Sequence, residues 1–278
     1  MSTSENPAIL RVAGGVDEIA PGRYRANLSE IYTVMGHPHG GYLQSVLASA
    51  ALAGASAAGA QHVHASAVTT NYVGASEPGP AEVGVDVRRV GRGASFAHVS
   101  LVQHDRLVVE SLVVLSTLSD ADTPRYQDAR MPELPPREAC VASSGSNEPS
   151  IARVLEQRLD PTSATWRNGV VSDRGETRAW LRLDDGEASW NAWNLHFAAD
   201  AMPPATFPLG STGWVPTLQL SSYVRRIPVG EWLRARQWCV VIAGDLVDER
   251  LELFDERDQL VASSSQLAMV RFPARDAP

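Results

Sequence analysis

Asp200, Thr217 and Gln266 supply a carboxylate, a hydroxyl and a carboxamide from three separate segments of this 278-residue chain. Such a trio can hold one water. The carboxylate takes a proton while the hydroxyl and amide fix the orientation, which is general-base hydrolysis without a metal or a covalent intermediate. Asp200 closes an otherwise apolar run, Trp190-Asn191-Ala192-Trp193-Asn194-Leu195-His196-Phe197-Ala198-Ala199-Asp200. Near a helix C-terminus a carboxylate is set against the macrodipole, and burial would raise its pKa toward the range useful for a base. Thr217 opens a strand after Pro216, and Gln266 stands in the β-run Ser263–Val270. The same residues also fit a solvated helix end, a strand starter and a surface strand position, and spacing alone does not choose. A second set is Gly40, Gly41 and Tyr42, where glycines precede a helix. The bare N–H groups of a first turn suit a developing oxyanion; equally, the glycines can serve the turn alone.

An internal repeat sharpens the first set. Asn71-Tyr72-Val73 recurs as Ser222-Tyr223-Val224, and Asp105-Arg106-Leu107-Val108-Val109-Glu110-Ser111 recurs as Asp258-Gln259-Leu260-Val261-Ala262-Ser263-Ser264. The offset is about half the chain, the mark of a duplicated domain. Projected through it, Asp200 falls near Ser49, Thr217 near Ser66 and Gln266 near Val113. Only the second copy carries the polar trio, so one working site per chain is expected, its base from the second copy and its backbone donors from the first.

The elements that must position these residues read as follows. Two short strands flank Ala20-Pro21-Gly22. Residues 42–58 form a helix of small residues, with Leu43, Val46, Leu47, Ala50 and Gly54 on one face, fit to lie close to a sheet. Strands follow at 65–73, 83–87, 97–102 and 107–115, separated by short turns. One buried helix followed by an antiparallel meander is an α+β pattern. In the second copy, strands are expected near 164–172, 177–183, 217–226, 238–246, 250–254 and 260–272, with a helix from Ser189 to Met202 stopped by Pro203-Pro204. The division is 1–120, a Pro/Ser-rich linker 121–150, and 151–278.

A net charge of −8 argues against a general nucleic-acid binder. It leaves room for a local basic patch facing one phosphorylated ligand. Arg88, Arg89 and Arg92 form one cluster, Arg225 and Arg226 another; solvated strand ends are the plainer account. The two cysteines, Cys140 and Cys239, are in no CxxC, which fits free thiols in a reducing compartment. His37 and His39 lack a third ligand at metal spacing, no G-x-S-x-G elbow is present, and Gly91-Arg92-Gly93 lacks the third glycine of a dinucleotide fingerprint; neither metal nor cofactor is expected. The polar start, Met1-Ser2-Thr3-Ser4, has no apolar signal region, and no apolar run is long enough to span a bilayer. A cytoplasmic address without membrane attachment is expected.

The chain resembles the double-hotdog acyl-CoA thioesterases, of the bacterial acyl-CoA thioesterase II type, over nearly its whole length. His39-Gly40-Gly41-Tyr42 looks like that family's helix start, and Arg88 to Phe96 like its R-x-G-x-S-F hairpin, with Gln103 following. Ala198-Ala199-Asp200 resembles the segment of its catalytic aspartate, Thr217 the threonine of the next strand, and Val261 to Arg271 the segment of its catalytic glutamine. The resemblance implies a helix wrapped in a curved antiparallel sheet twice per chain, the two sheets side by side as a pseudo-dimer that could assemble further, with the site between them. It implies acyl-CoA as the ligand and hydrolysis to a free acid and CoA, with no added cofactor. A non-catalytic acyl-CoA binder on the same fold is the main rival reading. A hotdog hydratase is a weaker one, because no carboxylate lies between Glu30 and Glu77 to pair with His37 or His39. The proline-rich stretch 201–208 departs from the family pattern and bears on the acyl pocket.

Overall fold

The computed structural model describes residues 15–119, 123–143, 150–184 and 190–273. The first half runs β1 (Val16–Ala20), β2 (Arg23–Leu28), β3 (Thr33–Val34), β4 (His37–Pro38), α1 (Gly40–Ala57), β5 (His64–Tyr72), β6 (Gly79–Val90), β7 (Ser95–Gln103) and β8 (Arg106–Ser116). The second runs β9 (Val141–Ala142), β10 (Leu155–Leu159), β11 (Glu176–Leu183), α2 (Asn194–Ala198), β12 (Thr217–Val224), β13 (Leu233–Ala243), β14 (Leu246–Phe254) and β15 (Leu260–Met269).

Thirteen strands form one sheet in the order β1-β2-β6-β7-β8-β5-β12-β15-β14-β13-β11-β10-β9, and β3 and β4 form a separate two-stranded ribbon. The halves join where β5 pairs antiparallel with β12, Thr69 opposite Ser221 and their hydroxyls 3.0 Å apart. The repeated Tyr72 and Tyr223 segments thus lie on the two strands of the junction. The second repeat maps onto equivalent turns. Asp105 between β7 and β8 has φ 59°, and Asp258 between β14 and β15 has φ 61°. That left-handed conformation is one aspartate tolerates better than most residues.

In the first half, twelve of the eighteen residues of α1 are buried. Small side chains let it lie tight against the sheet, and apolar burial over this face is the main stabilising term. The second half departs from expectation. The helix expected from Ser189 to Met202 is only Asn194–Ala198, with residues 185–189 outside the described set. Asn191 Oδ1 accepts from the N–H groups of Trp193 and Asn194, and Asn194 Oδ1 accepts from Asn191 N–H. This reciprocal pair is a capping box that begins the helical turn at Asn191, whose carbonyl already accepts the Leu195 N–H at 3.2 Å, so the helical stretch starts there. The strand expected near 164–172 is also absent. A 3-10 turn, Thr165–Asn168, stands there, closed by Gly169 at φ 71°, and β10 is the strand, with Leu155, Gln157 and Leu159 turned inward.

The described residues of 121–150 lie along the second half. Gln127 Nε2 donates to Asp258 O and its Oε1 accepts from Leu260 N–H; Trp180 Nε1 donates to Pro135 O. One apolar core spans both halves, crossed by a buried polar lattice. Gln44 Nε2 reaches Leu220 O at 3.0 Å, Ser222 Oγ donates to Gln44 Oε1 at 2.6 Å, and His196 Nε2 lies 2.9 Å from Ala65 O. Among the described residues no helix is long and apolar enough to cross a membrane.

Candidate active site

Asp200 lies just beyond α2 rather than within it, its N–H bonded to Phe197 O at 3.2 Å. Its Oδ2 accepts the Gly41 N–H at 2.8 Å. His39 caps α1: Nδ1 accepts the Tyr42 N–H at 3.4 Å, which leaves the proton on Nε2, 3.0 Å from Asp200 O and 3.5 Å from Asp200 Oδ2. The Asp200 side chain is 10% exposed. Burial pushes its carboxyl above the usual aspartate value, and the opposing pull of His39 and the Gly41 N–H is weaker.

The two glycines have a reason the sequence did not show. A Cβ at Gly40 would sit 2.7 Å from Asp200 Oδ2 and 2.9 Å from the Tyr72 hydroxyl; one at Gly41 would sit 2.7 Å from His196 O and 2.8 Å from Phe197 O. They let the start of α1 press against Asp200 and the backbone of α2. The expected oxyanion role of Gly41 and Tyr42 is therefore corrected: the first N–H serves Asp200 and the second serves His39.

Thr217 and Gln266 are brought together directly. The Thr217 hydroxyl donates to Gln266 Oε1 at 3.0 Å, because Thr217 opens β12 opposite Ala268 of β15. Gln266 Nε2 in turn donates to Glu249 Oε2 at 2.5 Å. Glu249 was not anticipated. It is 1% exposed, and its carboxylate also accepts from Ala205 N–H at 2.7 Å and Gln237 Nε2 at 3.1 Å. Burial raises its pKa, and the charge of Asp200 raises it further. The signal was available: Val247, Glu249, Leu251 and Leu253 alternate inward on β14, so a carboxylate occupies a core position.

Asp200, Thr217, Gln266 and Gly40 all line one cavity of about 690 Å³ between the halves. Leu43, Ile151, Trp166, Met202, Phe207 and Val215 give it apolar walls. His37 from the first half stacks on Trp214 from the second, ring centroids 4.8 Å apart. Tyr72 also lines it. Its hydroxyl is buried, has no hydrogen-bond partner among the described residues, and is held protonated by burial and by Asp200. In the first copy the counterparts are spent on the backbone: Ser49 Oγ bonds Ser45 O, Ser66 Oγ bonds Val114 O, and Ser66 O accepts from Arg225.

None of Arg88, Arg89, Arg92, Arg225 and Arg226, the residues expected to face the CoA, lines this cavity. Strand register is the reason. Val90 pairs with Ser95, Ser95 with Leu115, and Leu115 with Ala65, at the far end of β5 from Tyr72, roughly 20 Å away at strand rise. Arg225 binds Ser66 O at that same end, and Arg88 pairs with Asp86. The arginine in the cavity wall is Arg167, exposed at its rim.

A helix-wrapped antiparallel sheet, doubled, with an acid, a hydroxyl and an amide in one cleft between the copies, defines a double-hotdog protein of thioesterase type. The profile of the acyl-CoA thioesterase N-terminal domain matches residues 29–117, and that of the C-terminal domain matches residues 126–270. The chain belongs to the acyl-CoA thioesterase family. Uncharacterized proteins of Mycobacterium tuberculosis and Mycobacterium bovis are 28% identical over 265 residues, 89% of this chain and 90% of theirs. A candidate thioesterase II from Thermobifida fusca superposes with a TM-score of 0.85 at 28% identity, covering 94% of this chain and 97% of that one. A hot dog fold protein of unknown function from Alicyclobacillus acidocaldarius gives 0.82 at 16% identity over 96% and 99%, a likeness of fold alone.

Proposed function

We propose that this protein hydrolyses the thioester of an apolar acyl-CoA, with Asp200 as general base. The observation that carries this is a buried carboxylate of raised pKa sharing one cavity with the hydrogen-bonded Thr217–Gln266 pair. Asp200 Oδ2 is held by the Gly41 N–H and by His39, which leaves Oδ1 to take a proton from water. Thr217 orients that water, and Gln266 orients Thr217. The water oxygen adds to the thioester carbon, and the proton passes to Asp200. The carbonyl oxygen becomes an oxyanion, met by the Tyr72 hydroxyl, the buried donor without another partner. Collapse expels the CoA sulfur, which leaves as thiolate or takes the proton back from Asp200. The apolar walls, with the Asp200 carboxylate among them, favour a neutral hydrocarbon acyl group over one ending in a carboxylate, and the one guanidinium among the described lining residues, Arg167, is exposed to solvent.

Free-thiol release from a panel of acyl-CoAs tests the reading. Hydrocarbon acyl-CoAs should turn over and dicarboxylyl-CoAs should not. Asp200→Asn, which keeps shape and the Gly41 contact, should lower kcat by about 10² to 10⁴. Because the base must be ionised, kcat should rise with pH through a limb displaced above the ordinary aspartate value of 3.8. Acyl-CoA binding without thiol release from any of them would make the protein a binder instead.

A further inference from the structure

We infer that Glu249 is a positioning residue: it decides which end of the Gln266 carboxamide faces Thr217, and so keeps the Thr217 oxygen an acceptor toward the cavity. The inference rests on the thioesterase reading. Glu249 Oε1 meets the Ala205 N–H, and Oε2 meets Nε2 of both Gln266 and Gln237. These donors converge on the carboxylate, a pattern an ionised group satisfies. With its Nε2 drawn to Glu249, Gln266 can present only Oε1 to Thr217. The single Thr217 proton is spent there, 3.0 Å away. Water between Thr217 and Asp200 then meets two acceptors, gives each a proton, and keeps a lone pair for the thioester carbon. With the amide turned, its NH₂ would face Thr217. The hydroxyl proton would then point at the water and compete for the attacking lone pair.

The surroundings argue that Glu249 is not there for stability. The titratable and charged groups facing it among the described residues are Asp200 and Cys239, whose Sγ is 3.9 Å from Oε1, and no cation among them bonds it. A buried carboxylate held by dipoles alone is costly, and an apolar residue commonly does better as structure. Its second oxygen is also fixed from the cavity wall. In Pro203-Pro204-Ala205 the prolines have no N–H, so Ala205 supplies the donor.

Glu249→Gln is nearly isosteric and reverses the polarity of the chain. Its oxygen must accept from Ala205 N–H, so its NH₂ faces Gln266 and turns that amide. Measured beside the wild type, this variant should melt as the wild type does and keep its KM. Its kcat should fall on the order of 10²-fold, the scale of a misplaced reacting group. In a Thr217→Val background the same change should cost nothing further, because Glu249 acts through Thr217. Wild-type kcat in Glu249→Gln, or losses that multiply in the double variant, would overturn the inference. If Glu249→Gln does not fold, Glu249→Asp keeps the charge but withdraws it, and the same pair of readouts applies. No thiol release by the wild type sinks the thioesterase reading itself, and this one with it.

Discussion

The adjacent glycines at the start of α1 should respond differently to one added methyl. In an open helix Gly→Ala is favourable by about 1 kcal/mol. At Gly41 the new Cβ would stand 2.7 Å from His196 O and 2.8 Å from Phe197 O, both backbone, against 3.4 Å for ordinary contact. The carbonyls cannot rotate away, so α2 must retreat by several tenths of an ångström. Overpacking of this kind costs about 1–3 kcal/mol, which outweighs the propensity gain, and each kcal/mol lowers Tm by roughly 2–4 °C for domains this large. Asp200 Cβ, 2.8 Å from the same point, moves with α2, and a shift near 1 Å is worth on the order of 10² in rate. At Gly40 the Cβ would meet side-chain ends, Asp200 Oδ2 and the Tyr72 hydroxyl. Gly40→Ala should therefore lose kcat with little change in Tm, whereas Gly41→Ala should lose both. Thermal melts and steady-state thiol release on the two variants decide it. A Gly41→Ala protein with raised Tm and wild-type kcat would refute the close-approach argument.

Burial pushes His196 down from 6.5 to about 4. Between those values the unfolded chain binds a proton that the native one does not, so stability is full above pH 6.5 and is lost as pH falls toward 4, by up to about 3 kcal/mol. His196→Gln should flatten Tm against pH across that window; an unchanged slope would refute the assignment. Replacing Arg88, Arg89 and Arg92 together by alanine should leave KM for acyl-CoA unchanged, since they lie at the far end of the sheet. A large rise in KM would show that the ligand reaches them.

Local chemistry carried the reading far where the signal was local. The small-residue face of α1 and the strand segments of β6, β7 and β15 are short-range patterns, and each falls in the element expected of it, while the repeated Asp105 and Asp258 fall at equivalent turns. Asp200, Thr217 and Gln266 were singled out because polar residues in one copy stood against Ser49, Ser66 and Val113 in the other, and the structure brings the three to one cavity. What was not legible depends on contacts between segments far apart in the chain. The shortened α2 starts late because Asn191 and Asn194 cap it there, a reciprocal pairing that exists only in the turn they share. Glu249 stood in plain view as an inward residue of β14, but its role required knowing that β14 pairs with β15 at Gln266. Most of all, the use of Gly40 and Gly41 was open in the sequence between a turn and an oxyanion hole. Tertiary structure turned the Gly41 N–H and the missing side chains of both toward Asp200, from the other half, because only glycine lets the start of α1 come that close to it.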